Sequence, residues 1–274
     1  MQAQPKIVFI GAGNMASSII GGLIANGYAP ETLCASAPEP KHLEHLSSQY
    51  GIGIEADNGK AAESADILVL AVKPQIIKPV CTEIASAIKK DTLVISIAAG
   101  VATSQISEWL GGTFPIVRCM PNTPALVQQG ASGLYANAQV SEIQLTMAET
   151  IFAAVGEVDW VEDESDMHAI TAISGSGPAY FFLILEALQE AGTNAGLSAS
   201  TARRLATQTM LGAAQMAQHS ELELAQLKKN VMSPGGTTEQ AINTFESGNL
   251  KDLINEAVQA AKTRSIELSS LFDS

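Results

Sequence analysis

The run Lys6-Ile-Val-Phe-Ile10, followed at once by Gly11-Ala-Gly-Asn-Met-Ala16, constrains the fold more than any other part of the chain. A short apolar strand enters a glycine turn, and residues 17–26 then read as a helix. Strand, glycine turn and helix are the context that a dinucleotide-binding fingerprint requires. Gly11 permits the tight turn, Gly13 lets backbone approach a pyrophosphate, and Ala16 stands for the third glycine while staying small enough for close helix–strand packing. Alone, the motif is a weak signal that a purely structural turn explains as well. Its weight comes from the segments that follow it.

Residues 1–160 alternate strand-like and helix-like patterns, with strands expected at 7–10, 32–35, 52–55, 67–71, 93–97, 115–119 and 133–135. Helical segments such as 41–49 and 78–88 fall between them. This alternation predicts an α/β, doubly wound, mostly parallel sheet. Ligands of such sheets lie beyond the carboxyl ends of the strands. The loops expected there, 11–15, 36–38, 72–75, 98–100 and 120–124, are all rich in Gly, Pro, Ala, Asn or Thr. From about Asp163 the character changes: Ala-, Leu-, Gln- and Glu-rich stretches predict a mostly helical domain over 161–274. Its helix at 180–191 is apolar over much of its circumference, as in a core or a subunit interface.

Composition narrows the function. The 28 acidic residues against 15 basic ones give a net charge of −13 with no basic run, which speaks against nucleic acid as a partner. Three scattered cysteines, Cys34, Cys81 and Cys119, lack zinc spacing and read as reduced core residues of a cytoplasmic protein. No metal site is expected. The apolar stretch around Ala179-Tyr-Phe-Phe-Leu-Ile-Leu185 is too short for a membrane span, and the first apolar run reads as a strand rather than a leader.

A second chemistry-bearing segment is Asn230-Val-Met-Ser-Pro-Gly-Gly-Thr-Thr-Glu239. A Ser-Pro-Gly-Gly loop feeding a helix from about Thr237 leaves backbone N–H groups free to bind an anion. Gly235 and Gly236 leave the approach clear, and Ser233, Thr237 and Thr238 add hydroxyls. A well-capped helix would explain the loop alone. Beside a nucleotide fingerprint, it predicts a second anion site.

The motifs Ile10-Gly-Ala-Gly-Asn-Met15, Ala71-Val-Lys-Pro-Gln75, Arg118-Cys-Met-Pro-Asn-Thr-Pro124, Ser174-Gly-Ser-Gly-Pro-Ala-Tyr180 and Val231-Met-Ser-Pro-Gly-Gly-Thr-Thr238 resemble those of the Δ1-pyrroline-5-carboxylate reductase family. They stand in the family's order and cover nearly the whole chain. The resemblance implies a Rossmann domain followed by an all-α dimerisation domain, with dimers assembling into larger rings, commonly decamers. It implies reduction of a cyclic imino acid to proline by NAD(P)H, the last step of proline biosynthesis. The iminium carbon is already electrophilic, so holding it near the nicotinamide supplies most of the rate.

On this reading the cofactor contacts are Ile10, Gly11, Ala12, Gly13, Asn14, Met15, Ser36, Asn58, Ala71, Val72, Lys73, Pro74, Ala98, Ala99 and Asn230. The substrate carboxylate meets Ser233, Gly235, Gly236, Thr237 and Thr238, and Thr238 also hydrogen-bonds the ring nitrogen as the catalytic contact. The resemblance places Glu164 and Glu221 near the substrate; solvated surface acids are the competing reading. His168 has no acid or metal partner in view and reads as structural. Ser176 lacks an adjacent base and reads as a small residue at a helix break.

No acid stands at the tip of strand two, where NAD-specific sites hold the ribose diol. This favours NADPH, with NADH as the second choice. Ser36 and Asn58 would then bond the phosphate or ribose; Lys41 is the nearest cation, and Ser36 facing the sheet is the alternative geometry. Two other functions remain open: a β-hydroxyacid-type reductase with a catalytic Lys228 or Lys229, and a nucleotide-sensing protein without catalysis.

Overall fold

The computed structural model describes residues 4–272, which divide into two compact units. The first comprises the chain up to Ser176 together with the residues from Ala261 on; the second is Gly177–Ala260. The division therefore falls later than the expected boundary at 160, and the end of the chain returns to the first unit.

The first unit is built on one sheet of eight strands: β1 (Ile7–Ile10), β2 (Leu33–Ser36), β3 (Gly53–Glu55), β4 (Ile67–Leu70), β5 (Leu93–Ser96), β6 (Ile116–Met120), β7 (Gly130–Ala136) and β8 (Gly156–Trp160). Their spatial order is β3-β2-β1-β4-β5-β6-β7-β8. Every neighbouring pair is parallel except β6 and β7. The connections wind one way from β1 through β3 and the other way from β4, so the order reverses between β1 and β4, where such sheets bind ligands.

Strands β1, β2, β4 and β5 are buried at every residue. A parallel sheet covered on both faces needs such continuous apolar runs. Alternation divides their side chains. Ile7 and Phe9 join one core cluster with Ile19, Ile20 and Leu23 of α1 (Asn14–Ala25) and Phe152 of α6 (Glu142–Ala153). Val8 and Ile10 join the other with Ile77, Cys81 and Ile84 of α4 (Pro74–Ile84) and Ile106 of α5 (Thr103–Trp109). The helices α2 (Pro40–Tyr50) and α3 (Asn58–Glu63) complete the windings. All three cysteines are buried and unpaired, and burial pushes the Cys81 thiol up to about 12.

After β8 come a short turn of 3₁₀ helix and α7 (Met167–Ile170), then a wider π turn over Thr171–Gly175. Such π turns occur often at functional sites. Gly175 of this turn packs against Met120, whose Cε would lie 2.6 Å from a Cβ there and would have to move aside.

The second unit contains α8 (Gly177–Asn194), α9 (Ala199–Gln218), α10 (Leu224–Val231), α11 (Thr237–Ser247) and the first half of α12 (Leu250–Ser270). Gly192 of α8 lies so close to α9 that a Cβ there would meet the Ala202 methyl at 3.0 Å. Gly177 is the one buried residue of α8 and Ala202 that of α9, while α10 and α11 bury none. The expected apolar helix at 180–191 is thus present, but this chain leaves its apolar surface uncovered.

The helical path runs on from Glu164 to Asn194, 31 residues in all, and is long and apolar enough to cross a membrane by length and composition alone. The short apolar stretch at 179–185 is one part of this longer path.

Candidate active site

The ends of β1, β2, β4 and β5 are stitched side by side. Gly11 N–H donates to the Ser36 carbonyl at 2.7 Å, Ala71 N–H to the Ile10 carbonyl at 2.8 Å, and Ile97 N–H to the Leu70 carbonyl at 3.2 Å. Gly11 has φ +111°, and a Cβ there would run into the Ala71 carbonyl oxygen. Two strand ends therefore approach as closely as only glycine permits. Gly13 caps α1 in an extended conformation and supplies no side-chain bond to the first turn. A Cβ on Gly13 would meet no protein atom within 4 Å, so this glycine answers no packing need of the chain. An uncapped helix start beside an unobstructed glycine suits a pyrophosphate, so these residues fit a dinucleotide.

Ile10, Gly11, Ala12, Gly13, Asn14 and Met15 thus lie at one sheet edge with Ala71, Val72, Lys73 and Pro74, and with Ala98 and Ala99. Lys73 is the N-cap of α4 and Pro74 its first residue. A cleft of about 520 Å³ opens beside this edge, lined by Pro74, Gln75, Ala99, Gly100, Thr171 and Ser176 and by the end of α12.

Ser36 does not reach this surface. It is fully buried, and its hydroxyl donates to Asn58 Oδ1 at 2.8 Å. Asn58 is half-buried and donates in turn to Glu83 Oε2 at 3.1 Å. The geometry matches the alternative in which Ser36 faces the sheet. At the carboxyl end of β2 the Ser36 hydroxyl is engaged by Asn58 and supports it.

Glu164 is committed within the first unit. Its carboxylate accepts from Thr103 N–H at 2.8 Å and from Thr103 Oγ1 at 2.9 Å, capping α5 from outside, and pairs with Arg118 at 3.3 Å. Arg118 is buried, which lowers its pKa, while Glu164 opposes the shift. His168 Nδ1 lies 2.9 Å from the buried Ser265 hydroxyl of α12. Burial lowers the His168 pKa, the charges of Arg118 and Lys262 lower it further, and Glu164 counters them. The contact ties α7 to α12 within the first unit.

Arg118 and Asn122 stand in a motif quoted above without roles of their own, and Thr103 enters only through its contact with Glu164. Asn122 donates to the Ser174 carbonyl at 3.1 Å and accepts from Ala131 N–H at 2.9 Å, tying the segment after β6 to the π turn. The available signal was a charged residue inside an otherwise apolar strand.

In the second unit, α11 begins at Thr237 as expected, with Gly236 as its N-cap and no side chain bonded across that cap. Not all the loop N–H groups are free. Gly236 N–H donates to the Ser233 carbonyl at 2.8 Å, and Gly235 N–H to Glu239 Oε2 at 2.7 Å. Glu239, at the third helical position, thus reaches back past the N-cap to the residue before it. Thr237 and Thr238 open the helix as the remaining candidates. Asn230, on α10, accepts from Gln226 at 2.7 Å, and Glu221 is exposed in the turn before α10. Lys228, a candidate in the β-hydroxyacid reading, is paired with Glu246 at 2.8 Å.

A doubly wound sheet with a glycine turn at its reversal point, joined to a helical unit with a glycine-capped helix start, is the frame of a nicotinamide-dependent oxidoreductase. Residues 164–268 match the family model described as pyrroline-5-carboxylate reductase dimerisation, and residues 6–100 match that of NADP oxidoreductase coenzyme F420-dependent. The chain is 50% identical over 265 residues to the pyrroline-5-carboxylate reductase of Pseudomonas aeruginosa, covering 97% of each. Among solved structures it is similar to a pyrroline-5-carboxylate reductase from Coxiella burnetii, with TM-score 0.94, 50% identity and coverage of 97% and 99%. Pyrroline carboxylate reductase of Plasmodium falciparum, solved with NADP bound, gives TM-score 0.85 at 32% identity, covering 97% and 98%. The chain belongs to the pyrroline-5-carboxylate reductase family. It is an oligomeric enzyme that reduces the cyclic imine 1-pyrroline-5-carboxylate to L-proline with hydride from a nicotinamide cofactor.

Proposed function

We propose that this enzyme prefers NADPH and that the α11 start receives the substrate carboxylate. The observation that carries the second point is the glycine-capped start of α11, where the N-cap Gly236 offers no side chain to the first turn that Thr237 and Thr238 open. Ser233, Gly235 and Gly236 shape the loop, and Thr238 Oγ1 bonds the ring nitrogen. Glu221 supplies negative charge near the ring cation. Glu164, with its oxygens engaged by Thr103 and Arg118, contributes through its field and by holding α5.

Cofactor residues 10–15, Ala71, Val72, Lys73, Pro74, Ala98 and Ala99 hold the dinucleotide, with Asn230 added from α10. The bound nicotinamide supplies the hydride; the protein binds, orients and excludes water. The NADPH preference rests on the lack of an acid at the end of β2, where Ser36 and Ala37 are buried, and on Lys41 in the first turn of α2 as the nearest cation. Residues 1–160 carry cofactor binding, and 161–274 carry substrate binding and dimerisation. Dimers associate further into rings, commonly decamers, in the cytoplasm.

The test is oxidation of NADPH and of NADH on adding the cyclic imine. A higher kcat/KM with NADPH, lowered relative to NADH by Lys41→Ala, is expected. Equal efficiencies unaffected by Lys41→Ala would remove the preference. Oxidation that Gly236→Val leaves intact would remove the carboxylate assignment.

A further inference from the structure

Glu239 places a carboxylate inside a loop that must receive another one. Its Oε2 accepts the Gly235 N–H at 2.7 Å, and Gly235 stands in the left-handed region at φ +73°. The next N–H, that of Gly236, is bonded back to Ser233. Two loop donors are therefore spent internally, and both bonds fix the turn that precedes Thr237. Among the described residues Glu239 forms no ion pair, so the positive end of α11 is what stands against its charge.

We propose that Glu239 is a positioning and selectivity residue of the carboxylate loop. As an acceptor it holds Gly235 in the left-handed turn that presents the start of α11. As a full negative charge without an ion-pair partner it disfavours a bare anion there and favours a zwitterion, whose ring cation offsets its carboxylate. The substrate, with its imine nitrogen protonated, and the product L-proline are both zwitterions. This inference rests on the reading of residues 233–238 as the carboxylate site.

Two substitutions separate the roles. Glu239→Gln keeps a side-chain oxygen for the Gly235 N–H and removes the charge, whereas Glu239→Ala removes both. Binding is measured by calorimetry on the full-length oligomer, with and without oxidised cofactor, using L-proline and its nitrogen-free analogue cyclopentanecarboxylate as probes. Like charges a few ångströms apart predict that Glu239→Gln tightens cyclopentanecarboxylate by about threefold or more, with L-proline changing less. Glu239→Ala should raise KM for the imine by about fivefold, the loss of roughly one hydrogen bond, and leave KM for the cofactor within about twofold. Glu239→Gln should restore the imine KM.

An unchanged ratio of the two probes in Glu239→Gln overturns the selectivity role. An imine KM in Glu239→Ala that stays at the parent value, or that Glu239→Gln fails to restore, overturns the positioning role. Thermal melts give the folded fraction, to which kcat and the calorimetric stoichiometry are referred; KM is independent of it, so a KM change reports the site itself. Gly236→Val distinguishes the two levels. If it leaves proline binding intact, the carboxylate-site reading fails and takes the proposal with it. If it abolishes binding while both Glu239 variants behave like the parent, only the proposal fails.

Discussion

The two units solve the burial problem differently. The first covers both faces of its sheet, and Phe9, Phe152 and Leu68 are fully buried within a single chain. The second leaves Phe181, Phe182 and Leu183 at 56–66% exposure along α8, and Leu205 and Leu211 at 55% and 50% along α9. Soluble surfaces rarely expose so much contiguous apolar area. The first unit closes its core within one chain, while the second leaves apolar helix faces open, in keeping with the match of residues 164–268 to a dimerisation family. If a second copy covers those faces, stability of the second unit depends on protein concentration and that of the first does not.

The strongest way to break this contrast is Phe182→Glu. Burying an unpaired charge in an interface costs several kcal/mol, so light scattering at micromolar concentration should show the 28.6 kDa chain in place of the oligomer. An oligomer of unchanged mass would place the interface elsewhere. Phe152→Ala tests the other side. Emptying this site in the closed core should cost about 3–5 kcal/mol, seen as a lower denaturation midpoint, while scattering mass in the native range stays that of the oligomer.

Thr238→Ala touches neither core. Losing one hydrogen bond to a charged ring nitrogen costs about 1.5–3 kcal/mol, or roughly 10- to 150-fold in kcat/KM. A change below about threefold would reduce Thr238 to a helix-start residue.

The smallest effect concerns pH. The His168 pKa is lowered in the folded state, so the unfolded chain takes up a proton first as pH falls. The stability from neutral His168 is complete above the unfolded value of about 6.5 and is lost as pH drops through the lower folded value. His168→Asn should flatten the melting midpoint between pH 7.5 and 5 relative to the parent, and parallel curves would show that His168 does not report on the fold.

What was legible in the sequence was local. The β1–glycine turn–α1 unit, the start of α11 and the helix around 180–191 are each written in a few consecutive residues. Strand β8 was missed because Gly-Glu-Val-Asp-Trp has the half-polar alternation of an edge strand and lacks an apolar run. The Glu164 contacts to Thr103 and Arg118 join residues 61 and 46 positions apart, and no spacing rule announces them. Ser36 was read as a surface contact because the sequence shows that it ends a strand, but not that its hydroxyl turns inward to Asn58. Glu239 was within reach, since a capping acid stands a fixed distance from its partner.

The return of α12 to the first unit has a consequence for synthesis. Gly100, at φ +78°, packs against the backbone of Ser269, whose Cα lies 3.6 Å from where a Cβ would stand, and Phe272 rests on the cluster beneath β4 and β5. The ribosome must make residues 177–260 before that contact exists. At roughly 5–20 residues per second, the sheet waits several seconds with this flank open. The domain that starts first is thus among the last parts of the molecule to close, and a chain truncated ahead of Ala261 would leave the ribosome with the loop after β5 lacking its backing.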